Sequence, residues 1–157
     1  MLTQHLFPGT NTFMRVAAAL LFALFSAHTA LAGETPAALT GAKLITAEEA
    51  AKAIGEGAVL IDTRVANEYA EGHIKGALSV PYREKSAKSA DFDANSDRFD
   101  LGKLPPDKTA FIVLYCNGPE CWKSYKAAVV AIKGGYSNIH WYRSGFPDWK
   151  AKGLPID

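Results

Sequence analysis

The chain carries two cysteines, five positions apart, in the segment Cys116-Asn117-Gly118-Pro119-Glu120-Cys121-Trp122-Lys123-Ser124. An apolar run, Phe111 to Tyr115 (FIVLY), leads directly into the first, and a helical pattern opens at Ser124, where the segment ends. A thiol placed there sits in a loop whose N–H groups can turn inward, at the positive end of a helix. That setting lowers a thiol pKa and stabilises anions attached to its sulfur. Lys123 adds positive charge and Glu120 opposes it. The competing reading is an inert cysteine buried at the end of a core strand.

Such a loop has to be presented by a sheet, and the pattern around it supplies one. Leu44-Ile45 is a short apolar segment, and Thr46-Ala47-Glu48-Glu49 is a capping box opening a helix to about Ile54. Ala58 to Asp62 (AVLID) is a continuous apolar run ending in a carboxylate, as in a strand buried on both faces. Val65 to Ala70 reads as a short helical turn closed by Gly72, and Ala77 to Val80 as a short strand stopped by Pro81. Ser124 to Lys133 has apolar residues at helical spacing, with Gly134-Gly135 as its stop. Asn138 to Tyr142 is a last strand, followed by a Gly-Phe-Pro-Asp-Trp turn. Strands alternating with short helices predict parallel crossovers and an open α/β sheet covered on both sides.

Arg83 to Lys103 breaks this pattern. Its 21 residues hold four Asp, one Glu, five Lys/Arg and three Ser, with Phe92, Phe99 and Leu101 as the large apolar residues. A polar insertion of this length is a functional lid or a loosely ordered loop, and a partly helical flap is the expectation.

Composition narrows the classes. Seventeen Lys+Arg against sixteen Asp+Glu in 157 residues give a formal charge of +1, without the basic excess of a nucleic-acid binder. Two cysteines do not make a disulfide-dense scaffold. Val16 to Phe25 is an unbroken apolar run preceded by Arg15 and followed by Ala30-Leu31-Ala32, which reads as a secretory signal over 1–32. Met14 is an alternative start. The run falls short of the roughly 20 residues of a membrane span, so no membrane association is expected after cleavage. Cutting after Ala32 leaves 125 residues with 16 basic and 16 acidic side chains. Export, to the periplasm or outside the cell, places both cysteines where disulfides form. Residues 33–43 then read as a flexible linker and 44–157 as the domain.

Several segments together carry a resemblance. Leu60-Ile61-Asp62-Thr63-Arg64, Glu68-Tyr69, Gly72-His73-Ile74-Lys75-Gly76-Ala77, the strand–Cys116–loop–helix unit, Gly135-Tyr136-Ser137-Asn138-Ile139 and Gly145-Phe146-Pro147-Asp148-Trp149 fall in the order found in single-domain rhodaneses. The resemblance spans nearly all of Leu44 to Ile156. It implies a three-layer α/β fold with a five-stranded parallel sheet flanked by helices, and thiosulfate-type sulfurtransferase activity with Cys116 as sulfur carrier. One departure stands out. The usual loop has an Arg five residues after the nucleophile; here that position is Cys121, and the Lys123-Ser124 pair comes two residues late. An ammonium does not replace a guanidinium in gripping a flat oxyanion. The longer loop has room for a group larger than one sulfur atom. The Cys-Trp-x-Ser end also resembles a small exported rhodanese-like family, named for its Cys-x-x-Cys-Trp motif, that accompanies pyrroloquinoline-quinone-dependent alcohol oxidation, although four residues separate the cysteines here.

The expected chemistry is a persulfide on Cys116, its sulfur passed to a thiol or other thiophilic acceptor, with Cys121 as resolving thiol. Expected partners are a small sulfur-containing substrate and an acceptor thiol or partner protein. A thiol–disulfide redox protein and a non-catalytic accessory module are the alternatives. Asn117, Gly118, Pro119, Glu120, Trp122, Lys123, Ser124 and Arg64 are the substrate-contact candidates. Arg64, with Asp62, has a bracing role as its competing reading. His73 reads as a structural histidine, His140 as a surface or core residue, and Trp141 and Trp149 as core or cap. No cofactor and no metal is expected: two cysteines and two distant histidines would have to converge on one zinc ion.

Overall fold

The computed structural model describes residues 33–157; the signal segment expected at 1–32 lies outside the described residues. Five parallel strands form one sheet in the order β1-β5-β4-β2-β3: β1 Ala42–Leu44, β2 Val59–Asp62, β3 Leu78–Ser79, β4 Ile112–Tyr115 and β5 Ile139–Tyr142. The four helices are α1 Ala47–Gly55, α2 Ala66–Ala70, α3 Trp122–Lys133 and α4 Gly145–Ala151. The five-stranded parallel sheet flanked by helices is the α/β architecture expected from the sequence.

Burial explains the central strands. Every residue of β4 is buried, and β2 is buried from Leu60 to Asp62, so both carry apolar residues without alternation. Val113 and Tyr115 face one core layer with Ile45, Ala50, Phe146 and Trp149. Ile112 and Leu114 face the other, with Ala127, Ala128 and Ala131 of α3. Thr46 caps α1 as a complete capping box with Glu49, as the sequence indicates.

Three segments differ from the sequence reading. The Gly-Phe-Pro-Asp-Trp stretch is the start of helix α4 rather than a turn. Pro147 lies in its first turn, where a missing N–H costs no intrahelical bond. Residues 33–43, expected as a flexible linker, contribute β1 and the buried Thr35. The 83–103 insertion is held in place with a single 3-10 turn, Leu101–Lys103.

One buried lysine organises that insertion. The Lys126 side chain of α3 is fully buried; its Nζ lies 2.7 Å from Glu84 Oε1 and 3.6 Å from Asp97 Oδ2, and donates to Ser86 Oγ at 2.8 Å. Asp97 in turn accepts from the Lys85 and Ser86 amides, the Ser86 hydroxyl and the Tyr82 hydroxyl. Burial alone would raise the Asp97 pKa, but these hydrogen bonds outweigh it and hold the carboxyl well below its usual range. Phe92 lies over the ammonium at 5.1 Å.

Lys126→Ala is therefore expected to cost about 3–5 kcal/mol, because two carboxylates lose their buried counter-charge. Hydrogen exchange of the 83–103 amides should accelerate far more than that of β4. Since Asp97 has a lower pKa folded than unfolded, its contribution is present above about pH 4 and fades as pH falls below it. The same amides should lose protection first on acidification; uniform loss across the domain would contradict this assignment.

Candidate active site

The carboxyl ends of β2, β4 and β5 meet at one edge of the sheet, the place where open α/β sheets bind ligands. Cys116 directly follows β4 and is 1% exposed. Cys121 is the N-cap residue of α3, and the two sulfurs are joined in a disulfide with Cα atoms 6.2 Å apart. The sequence reading has Cys116 ionised and reachable. In this oxidised form it is neither, because its sulfur is bonded to Cys121 beneath the loop.

Beneath Cys116 lies a buried polar network. Asp62 accepts from the Arg64 amide, from Arg64 Nε and Nη2 at 3.0 and 2.6 Å, and from the Tyr115 hydroxyl at 2.8 Å. Arg64 Nη2 also donates to the Gly72 carbonyl at 2.8 Å, and its guanidinium lies 4.2 Å over the Phe146 ring. Burial, and then the Asp62 charge, push the Tyr115 phenol far above its ordinary range, so it remains a neutral donor. Arg64 thus binds β2 to the Gly72 turn and to α4. This is the bracing role, with Nε and Nη2 engaged by Asp62 and the Gly72 carbonyl.

The loop itself is tied on three sides. Asn117 Nδ2 donates to Glu68 Oε1 of α2 at 2.5 Å. Thr35 donates through both its amide and its hydroxyl to the Pro119 carbonyl, each at 2.8 Å. Arg143 holds Thr35, with Nε on its hydroxyl at 3.0 Å and Nη2 on its carbonyl at 2.7 Å, and pairs with Glu34. Trp122 Nε1 donates to the Gly33 carbonyl at 3.0 Å. On the third side, the Phe146 amide donates to the Cys116 carbonyl at 2.8 Å.

The remaining predicted residues divide. Trp122 is buried edge-on to Tyr125, forming a wall under the loop. Ser124 is buried and accepts from Trp141 Nε1, turned away from the loop. Gly118 adopts φ +113 and its carbonyl accepts from the Cys121 amide. Glu120 is exposed. Lys123 is half-buried and lines a cavity of about 420 Å³ with Val65, Tyr82 and Arg83. Cys121 makes no side-chain cap of α3, so the first-turn N–H groups of that 12-residue helix open toward the loop. His73 stacks on Tyr69 and lies within 3.0 Å of its carbonyl, a structural role. His140 packs on Phe111, and burial lowers its pKa. Among the described residues, no group of three or more His, Cys, Asp or Glu is placed to hold a metal ion.

Sequence reasoning missed Thr35 and Arg143, and gave Gly145 no role beyond its place in the Gly145-to-Trp149 segment. The first two lie more than a hundred positions apart and left no local signal. Gly145 sits at φ +65, where an added Cβ would overlap the Cys116 carbonyl and come within 2.9 Å of the Gly118 nitrogen.

A cysteine loop between a central parallel strand and a helix N-terminus, in this five-stranded sheet flanked by helices, has the architecture of a rhodanese-like α/β domain. The Rhodanese-like domain family matches residues 46–152, and the chain belongs to that family. It is 31% identical over 109 residues to thiosulfate sulfurtransferase GlpE of Pseudomonas entomophila, covering 69% of this chain and 85% of that protein. It is also 29% identical over 164 residues to the HTH-type transcriptional regulator Rv0324 of Mycobacterium tuberculosis, covering 95% of this chain. The chain spans 64% of that regulator's length. The solved structure of the BH2092 protein from Bacillus halodurans superposes with a TM-score of 0.54 at 23% identity, over 74% of this chain and 77% of that one, and shares the fold. Family and relatives together support a sulfur-transfer function.

Gly145→Ala is expected to destabilise the domain by about 2–4 kcal/mol, combining left-handed strain with overlap on the loop backbone. Gly57→Ala, also at positive φ but with no neighbour within 4 Å, isolates the strain and should cost only about 1–2 kcal/mol. Urea titration of both variants checks the difference; equal costs would show that the loop gives way freely.

Proposed function

We propose that the protein is an exported sulfurtransferase that carries sulfane sulfur on Cys116 and uses Cys121 to return to the disulfide. The observation that carries this reading is the Cys116–Cys121 bond at the carboxyl end of the central strand. It supports a cycle that opens by reduction: an external dithiol supplies two electrons and two protons, giving both thiols and its own disulfide. The Cys116 thiolate then attacks the outer sulfur of a donor and expels the remainder as an anion, leaving a Cys116 persulfide. An acceptor thiolate takes the terminal sulfur and regenerates the Cys116 thiolate. Without an acceptor, Cys121 attacks the inner sulfur, re-forms the disulfide and releases hydrosulfide.

The environment favours each anionic species. The open N–H groups of the first turn of α3 favour negative charge beside Cys116. Lys123, half-buried next to Cys121, adds to this. The position that carries the family's usual Arg is occupied by a residue covalently bonded to the nucleophile, which argues against thiosulfate as the preferred donor. Export rests on the leader reading of 1–32 and fits a disulfide that persists in oxidising compartments.

The same bond favours a second reading, a thiol–disulfide redox protein whose two cysteines exchange with partners. The two separate experimentally. Thiol counting on protein taken directly from the export compartment should find no free thiol before reduction and both after it. After reduction and exposure to a sulfane donor, Cys121→Ser should gain about 32 Da, the mass of one sulfur, as a lasting persulfide. Cys116→Ser should gain none. A Cys121→Ser protein that never takes up sulfur, paired with a wild type that exchanges disulfides readily, would give the case to the redox reading.

A further inference from the structure

The insertion brings together cations that form no ion pair. Arg83 and Arg98 are directly opposite in an antiparallel bridge, each donating its amide to the other's carbonyl at 2.9 and 3.0 Å. Opposite residues of such a pair project to the same face, and like charges there repel. Both arginines line a cavity of about 250 Å³ together with Lys103 and Asp100. Arg83 and Pro81 also line the 420 Å³ cavity, whose other walls include Glu84 and Lys123 of the first turn of α3, so the two cavities adjoin along Pro81 and Arg83.

Two carboxylates, Asp100 and Glu84, line the same cavities, against four cations. Glu84 pairs with the buried Lys126, and Asp97 is saturated by amides and hydroxyls. Asp100 Oδ1 accepts from the Gly102 amide. Among the described residues, Arg83, Arg98, Lys103 and Lys123 have no carboxylate within 4.0 Å, whereas seven other ion pairs form. Four unpaired cations along one groove repel each other unless an anion enters, and the concave walls focus their field. The volumes suit a small molecule rather than a protein segment.

We propose that this groove seats the acid groups of the sulfur acceptor, a small thiol carrying two or more carboxylates, with its sulfur directed to the cysteine loop. This rests on the sulfur-transfer reading. It also accounts for the missing loop guanidinium: the anion grip is moved from the Cys116 loop to the 83–103 insertion, which leaves the +5 position free for a second cysteine.

The test has two arms. In the first, persulfidated Cys121→Ser protein, with and without the groove substitutions, is mixed with mercaptosuccinate, a dicarboxylate thiol, or with neutral 2-mercaptoethanol. Arg83→Gln combined with Arg98→Gln should slow the dicarboxylate by about tenfold or more and leave the neutral thiol unchanged, and the loss should shrink at high salt. Equal effects on the two thiols overturn the proposal. In the second, the oxidised wild type is titrated calorimetrically with propane-1,2,3-tricarboxylate, which has no sulfur. Binding that weakens in the double variant supports the groove whether or not a persulfide forms. Absence of binding overturns it while leaving persulfide formation on Cys116 untouched.

Discussion

The Asp62–Arg64 pair fixes where everything else at this edge of the sheet stands. Asp62 is 0% and Arg64 3% exposed, a depth at which an unpartnered charge is prohibitive. Both are satisfied because the chain brings four things to them: the Tyr115 hydroxyl from β4, the Arg64 amide, the Gly72 carbonyl and the Phe146 face. Tyr115 lies on β4 and Phe146 on α4, while the Arg64 amide and Gly72 belong to the segments flanking α2. Removing either charge strands the other, so the pair dictates register between β2 and β4 as strictly as the ladder does. Tyr115 immediately precedes Cys116, and the sulfur's position is therefore inherited from a salt bridge beneath it.

Above that floor the cysteine loop is a clamped segment. The strap at Gly33 to Thr35 (itself held by Arg143), Glu68 and the start of α4 each hold a different backbone or side-chain group of residues 116–122. A glycine at 145 is required for the last of these, because the Cys116 carbonyl occupies the space of its Cβ. A loop held this firmly keeps its amides oriented without reorganising when a charged sulfur forms, which is how preorganised dipoles contribute most.

Much of this was legible because it is local. AVLID and FIVLY announce strands buried on both faces, and Thr46 with Glu49 announces the start of α1 within four residues. What was hidden is what depends on distant partners. Gly145 and Pro147 look like a turn; only the Cys116 carbonyl explains why a helix begins there with glycine. Lys126 looks like an ordinary polar residue in α3, yet it is the buried counter-charge that orders an insertion 30 to 40 residues earlier. Thr35 reaches Pro119 across 84 positions, a contact no periodicity reports. Arg64 ends a strand beside the site, and sequence could not tell a substrate contact from a brace. Its bonds to Asp62, two residues away, and to the Gly72 carbonyl show the brace.

The strap and the insertion divide the work around the loop by charge. On the strap side, Arg143 is neutralised by Glu34 and by the carbonyl of Thr35, so that flank is electrostatically closed and serves to hold Pro119. On the insertion side, Glu84 and Asp97 pair with Lys126, while Arg83 and Arg98 line the groove together with Asp100. One buried lysine thus performs two tasks: it orders the segment and removes the carboxylates that would otherwise quench Arg83 and Arg98. An arrangement selected for stability alone would pair those arginines with Glu84 and leave an apolar residue at 126, because well-packed apolar groups equal or exceed buried ion pairs. The chosen arrangement keeps cationic charge facing the groove, and that asymmetry is what a site for anions requires.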